Sequence, residues 1–195
     1  MNRRYLIIGL VLFVGIAAGM LLGFLLGRSG KVRIPGEETT FTAYLTGYSY
    51  FDNTPPGSSA VAFPRSKGYA TVHDRADGTG TYNNPVTLAV GHSLSDQGDI
   101  PDFDPGTMFY IPDFKKYFVV EDICGDGGSP QDGPCHAGYQ EYAWLDVWVG
   151  GQAGESADAA DACENRITGT HRVILSPSPR YAVEPGSLLQ SKACK

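Results

Sequence analysis

Residues 5–27 (YLIIGLVLFVGIAAGMLLGFLLG) contain no charged side chain, and this run sets the first constraint on the chain. At about 1.5 Å rise per residue, a helix of that length spans roughly 34 Å. That suffices to cross the ~30 Å hydrocarbon core of a bilayer with some tilt. A cleaved signal peptide has a shorter apolar region, of about 7–15 residues, followed by a small-x-small site. The following LLGRSGKVR offers no such site. The expectation is therefore an uncleaved signal-anchor over residues 1–29, a linker over 30–40 and a soluble domain over 41–195. Arg3 and Arg4 flank one end of the apolar run and Arg28, Lys31 and Arg33 the other, so charge does not fix its orientation. Gly15, Gly19, Gly23 and Gly27 recur every fourth residue and share one helix face. Such a face permits close backbone approach, and homo-oligomerisation through it is a further expectation.

The cysteines decide the compartment. Cys124, Cys135, Cys163 and Cys194 all lie beyond the anchor, their number is even, and none forms a C-x-x-C pair. This pattern fits disulfides in an oxidising, extracytoplasmic space rather than a zinc or redox centre. Four cysteines allow three pairings. Proximity in sequence favours Cys124–Cys135 with Cys163–Cys194.

From Ile34 onward the chain holds all 21 acidic residues. Five of the 15 basic residues precede that point, which leaves ten and a net charge of −11. Such a surface repels phosphate backbones, so no nucleic-acid partner is expected. The length suits one domain with one core. Gly and Pro are scattered, and short β-type runs alternate with turn residues. An all-β small barrel follows, with strands expected at 41–51, 86–90, 107–112, 117–122, 144–149 and 171–175, and a short piece at 180–183. Residues 157–166 suit a helical stretch, and 52–79 a long surface excursion.

The strand Trp144-Leu145-Asp146-Val147-Trp148-Val149 carries the most chemistry. Side chains alternate faces along a strand, so Leu145, Val147 and Val149 share the core side. Trp144, Asp146 and Trp148 share the other. An acid between two indoles suits a sugar polymer, because flat aromatic faces stack on pyranose rings. Apolar neighbours raise the pKa of such an acid, which a general acid needs near neutral pH. Asp122 closes the hydrophobic strand YFVVED before a glycine turn. It suits either a turn cap or a site residue.

These stretches carry a family resemblance. Pro105-Gly106-Thr107, then Glu121-Asp122-x-x-Gly125, then Leu145-Asp146-x-Trp148-x-Gly150 resemble the three-aspartate (3D) domain. That domain is a six-stranded double-psi β-barrel found in membrane-bound lytic transglycosylase A, and is related to rare lipoprotein A-like and expansin-like proteins. Thr42-Ala43-Tyr44 and the segment opening Gly80-Thr81-Tyr82 match too, so the likeness covers roughly 41–185. It implies that Asp146 is the catalytic acid/base and Asp122 its partner. It also implies a cell-wall polysaccharide such as peptidoglycan as the substrate. Trp144, Trp148, His92 and Tyr110 are the expected sugar-facing residues. The family's first aspartate follows an Ala-Val pair, whereas here Ala89-Val90 precede Gly91. The insertion 126–142 resembles a secreted, disulfide-containing branch.

Lytic cleavage of a glycan is thus the leading expectation, and a non-catalytic, expansin-like wall-binding module the alternative. No cofactor is expected. Asp96, Asp99, Asp102 and Asp104 are oxygen-rich but match no EF-hand spacing. His73, His92, His136 and His171 show no zinc spacing. No metal site is assigned, and no G-x-S-x-G or phosphate-binding loop is present.

Overall fold

The computed structural model describes residues 36–96, 98–190 and 193–194. The apolar run 5–27 lies outside them, together with the membrane anchor and the glycine self-association face assigned to it. Among the described residues no helix is long and apolar enough to cross a membrane.

Within Glu38–Lys195 the chain forms one compact unit. Its strands are β1 (Thr39–Ser49), β2 (Val86–Val90), β3 (His92–Ser95), β4 (Gly98–Pro101), β5 (Met108–Ile111), β6 (Lys116–Ile123), β7 (Ala143–Gly150), β8 (Gly169–Leu175), β9 (Leu189–Gln190) and β10 (Ala193–Cys194). A single-turn helix α1 (Pro134–Ala137) precedes β7, and α2 (Ala157–Ile167) follows it. Six strands close into a barrel in the order β1-β7-β2-β6-β5-β8, with β8 returning to β1.

The expected strands are present, most displaced by a residue or two, and β2 has the expected bounds. All five residues of β2 are buried, as suits an uninterrupted apolar run covered on both faces. β1 begins at Thr39, inside the expected linker. The expected strand piece at 180–183 is absent. Tyr181 instead stacks on Tyr110, with ring centroids 4.6 Å apart, and the carbonyl of Ala182 accepts a hydrogen bond from the Tyr110 hydroxyl. The β3–β4 hairpin was not expected from sequence. Its Leu94 and Ile100 are more than half exposed, so it lacks the apolar face that marks a strand.

Helix α2 is opened by the Ser156 hydroxyl, which accepts from the Ala159 amide. It buries Ala160, Cys163 and Ile167, one stripe at helical spacing. The helix sits so close to β1 that a Cβ on Gly47 would lie 2.9 Å from Ile167 Cδ1, so a larger residue there would displace the side chains of α2. Disulfides join Cys124 to Cys135 and Cys163 to Cys194, the pairing that proximity favoured. The first ties the end of β6 to α1 within the insertion, and the second pins the C-terminal strand to α2.

The excursion 52–79 is anchored rather than free. Asn53, Phe63, Thr71 and Ala76 are buried, and the Phe63 amide bonds to the Glu121 carbonyl. Glu121 is fully buried. It accepts from the Val72 and His73 amides, the Thr87 hydroxyl and His73 Nδ1, all at 2.7–2.8 Å. Burial pushes its carboxyl upward, but the hydrogen bonds from His73 and Thr87 outweigh that and hold it below its ordinary value.

Candidate functional site

Two parallel strand pairs, β1 with β7 and β2 with β6, meet where β2 runs antiparallel to β7. The register there aligns Thr46 with Asp146, Asp146 with Ala89, and Ala89 with Asp122. One row of residues therefore crosses four strands, with the two aspartates on either side of a residue whose side chain is one methyl group. At about 4.8 Å between strands, their Cα atoms lie on the order of 10 Å apart. The row depends on a bulge. Leu88 pairs with Val120 and Ala89 pairs with Asp122, so Glu121 is the extra residue. Glu121 reaches the 72–73 backbone, while Asp122 reaches the cleft.

A cleft of about 240 Å³ lies over the row, lined by Thr46, Tyr48, Ala89, Trp144 and Asp146 together with Asp52 and Asp126. Adjoining it is a second cleft of about 380 Å³, lined by Asp122 and His92 among others. The two share Asn53, Thr54 and the 123–126 segment.

Asp146 is half-buried. Trp144 Nε1 donates to Thr46 Oγ1 at 2.8 Å, and that hydroxyl donates to Asp146 Oδ1 at 2.6 Å. The indole fills one acceptor site of the hydroxyl and leaves its O–H to Oδ1. With Oδ1 accepting, Oδ2 is the oxygen open to carry an acidic proton. Burial pushes the Asp146 carboxyl up to about 7, and the Asp52, Asp122 and Asp126 charges act in the same direction against the Thr46 hydrogen bond.

Asp122 is 6% exposed. Its Oδ1 accepts from the Ala62 and Ile123 amides at 2.9 and 3.0 Å, and its Oδ2 from the Tyr48 hydroxyl at 3.1 Å. Burial raises it to about 6, with those three donors opposing the shift. Tyr48 stays protonated because burial, and then the Asp122 and Asp146 charges, raise it well above its ordinary value. Two carboxyls both raised toward neutral pH, on either side of Ala89, form an arrangement that supports acid/base work.

The other expected site residues divide. Trp144 lines the cleft. Its ring stands edge-on to Tyr44 at 4.8 Å, and Tyr44 stacks on Tyr139 at 4.1 Å. Trp148 does not line it. It is 5% exposed and packs edge-on against Tyr48, because the parallel partner strand covers that end of β7. Tyr110 is also removed from the clefts. It is 4% exposed and packed with Tyr117 and Ile174 in a separate cluster. His92 is buried at the wall of the second cleft, with Nε2 3.3 Å from Asp99. Gly91 has no room for a side chain: a Cβ there would lie 2.4 Å from Asp102 Oδ2 and 2.6 Å from the Cys135 backbone. Thr46, Tyr48, Asp52 and Asp126 were not foreseen as site residues. Thr46 and Tyr48 alternate with Leu45 along β1, but only a pairing a hundred residues distant shows what they face.

Among the described residues no group of three or more His, Cys, Asp or Glu is placed to hold a metal ion. Of the loop aspartates, Asp99 meets His92 and Asp102 meets His136.

A family model described as the DDB_G0273701 N-terminal domain matches residues 40–195, from the start of β1 through every site residue above. The chain belongs to that family. It is 31% identical over 150 residues to the uncharacterized protein DDB_G0273701/DDB_G0273221 of Dictyostelium discoideum. The alignment covers 75% of this chain and 56% of that protein, so the chain spans just over half of its relative's length. No solved structure matches. Membership of the DDB_G0273701 N-terminal domain family carries no activity with it, and the chemistry must come from the site.

Proposed function

We infer that this domain cleaves glycan strands of a cell wall by a lytic mechanism, with Asp146 as acid and then base. One observation carries the reading: Asp146 and Asp122 flank Ala89 in one row beneath two adjoining clefts, with one indole beside them. The protonated Oδ2 of Asp146 gives its proton to the glycosidic oxygen as that C–O bond breaks. A hydroxyl of the same sugar then attacks the anomeric carbon, returns its proton to Asp146 and closes an anhydro ring. No water enters, so one acid serves both steps, unlike the paired carboxylates of ordinary glycosidases. Ionised Asp122 favours the positive charge that develops at the anomeric carbon and keeps Asp146 protonated. Trp144 supplies a stacking face for a sugar ring.

The finer fold assignment in this reading is the double-psi barrel. It is supported by the closed six-stranded barrel, in which both parallel pairs carry a register shift. In this reading residues 5–27 tether the domain to a membrane, and the soluble part faces an extracytoplasmic space in which its two disulfides persist.

The test is digestion of peptidoglycan and other wall polymers, with mass analysis for anhydro-ended fragments. Activity that survives Asp146→Asn rejects the assignment. A second reading, glycan binding without turnover, draws on the crowded Gly91, where the resembling enzymes have a carboxylate. Saturable binding with no product, lost in Trp144→Ala, selects it.

A further inference from the structure

Trp144 also lines a third cleft, of about 350 Å³, which shares Trp144 and Cys135 with the cleft over Asp146. Its walls combine an aromatic face with hydrogen-bonding groups: Trp144 and Tyr142 beside Asp102, His136, Gln140 and Glu141. These groups are held in place. The Cys124–Cys135 bridge carries His136 to Asp102, where Nδ1 and Oδ1 lie 2.6 Å apart. Reciprocal backbone hydrogen bonds between Tyr139 and Tyr142 close a tight turn with Gln140 and Glu141 at its tip. The Tyr139 ring, stacked on Tyr44, braces the indole. A flat ring bordered by fixed donors and acceptors is the usual design of a sugar subsite.

Acidic side chains dominate the lining of the three clefts. Asp52, Asp102, Asp122, Asp126 and Glu141 line them beside Asp146, and no Lys or Arg is among the lining residues. The basic groups there are His92 and His136, each set against an aspartate. Low-dielectric walls of one sign focus their field into the groove and exclude ligands of the same sign.

We propose that the clefts sharing Trp144 form one groove for successive sugar units, and that the groove takes a neutral or amino-bearing glycan and rejects an acid-bearing one. The proposal rests on the glycan reading above and adds two properties to it. The groove gains affinity from chain length, because one sugar cannot occupy both clefts. It discriminates by charge, because carboxylates on the polymer meet carboxylates on every wall.

The experiment is titration calorimetry at pH 7 on the full chain carrying Asp146→Asn, which prevents turnover. The probes are oligomers of N-acetylglucosamine, glucosamine and galacturonic acid, two to six units long. The expected result is at least a fivefold gain in affinity from dimer to tetramer for the first two classes. Galacturonic acid tetramers bind at least tenfold more weakly, and the deficit shrinks as salt is added. Glu141→Lys, at an exposed turn, narrows the charge preference at least threefold. Equal affinity for dimers and longer oligomers overturns the continuous groove. Equal or tighter binding of galacturonic acid oligomers overturns the charge selection. Absence of binding in all three classes removes the glycan reading itself, and this proposal with it.

Discussion

Glu121 and Asp122 are neighbours in β6 with opposite surroundings. Glu121 is met by four donors, one of them His73, which can carry the opposite charge, and it ionises readily. Asp122 is met by three neutral donors, which do not offset its burial and the neighbouring Glu121 charge, so it is held back from ionising. A single bulge separates them: one residue more in β6 than in β2 sends the first side chain to the excursion and the second to the cleft. Burial alone does not make a site, since both carboxyls are buried. What distinguishes the clefted pair is that burial there is left uncompensated by any cation.

The comparison breaks most sharply at Asp146. Asp146→Asn is expected to lower glycan cleavage by about 10²–10⁴-fold, the usual contribution of a general acid, with an unchanged circular dichroism spectrum. Comparable activity in the variant places the chemistry elsewhere. Next is Glu121→Ala, expected to cost about 3–5 kcal/mol in denaturant unfolding, because it strands His73 and two amides. The excursion 52–79 should then become the first site of proteolysis. Asp122→Asn keeps a similar shape and loses a poorly solvated charge, so its stability should change by less than about 1 kcal/mol. If the two substitutions cost the same, the contrast fails.

The two tryptophans sharpen it further. Trp148→Ala removes a packed core ring and should cost about 3–5 kcal/mol of stability. Trp144→Ala should cost less stability, and it should abolish glycan binding and lower the Asp146 pKa by exposing the carboxyl to water.

A smaller effect than these losses concerns pH. Asp122 and Asp146, raised to about 6 and about 7, bind more protons in the folded state than in the unfolded state between about pH 4 and 7. Stability therefore falls as pH rises through that window. Glu121 behaves oppositely: its contribution is present above its unfolded pKa and is lost as pH falls through its lowered folded value. His73, raised in the folded state, loses its share as pH rises through its folded pKa. Comparing unfolding of wild type and Asp146→Asn at pH 4.5 and 8 isolates the site term. The variant should be more stable by about 1–2 kcal/mol at pH 8, with the difference shrinking as pH falls through 4.5 and vanishing below the unfolded pKa. Partial contact of Asp146 with water keeps the difference that small.

The sequence carried much of the fold, and it singled out Asp146, Asp122 and Trp144, which line the clefts. Apolar runs such as 86–90 and 117–122 are strands by composition, and Asp146 and Asp122 stand out as acids set among apolar residues. What it did not carry is register. Trp148 has the same strand parity as Trp144, yet Tyr48, one hundred positions earlier, covers it. The same parallel pairing delivers Thr46 to Asp146. Tyr110 reads as a barrel-surface aromatic until the chain beyond β8 folds back and Tyr181 stacks on it. The β3–β4 hairpin and the Glu121 network likewise rest on contacts that no local pattern encodes.

The ionisation of Asp146 can be followed directly from its side-chain carboxyl carbon shift by nuclear magnetic resonance between pH 3 and 9. The midpoint should fall near 7, with Asp122 near 6 and Glu121 below its ordinary value. A midpoint for Asp146 in the ordinary carboxylate range, near 4, would leave no proton on this group at neutral pH and would contradict its role as the acid.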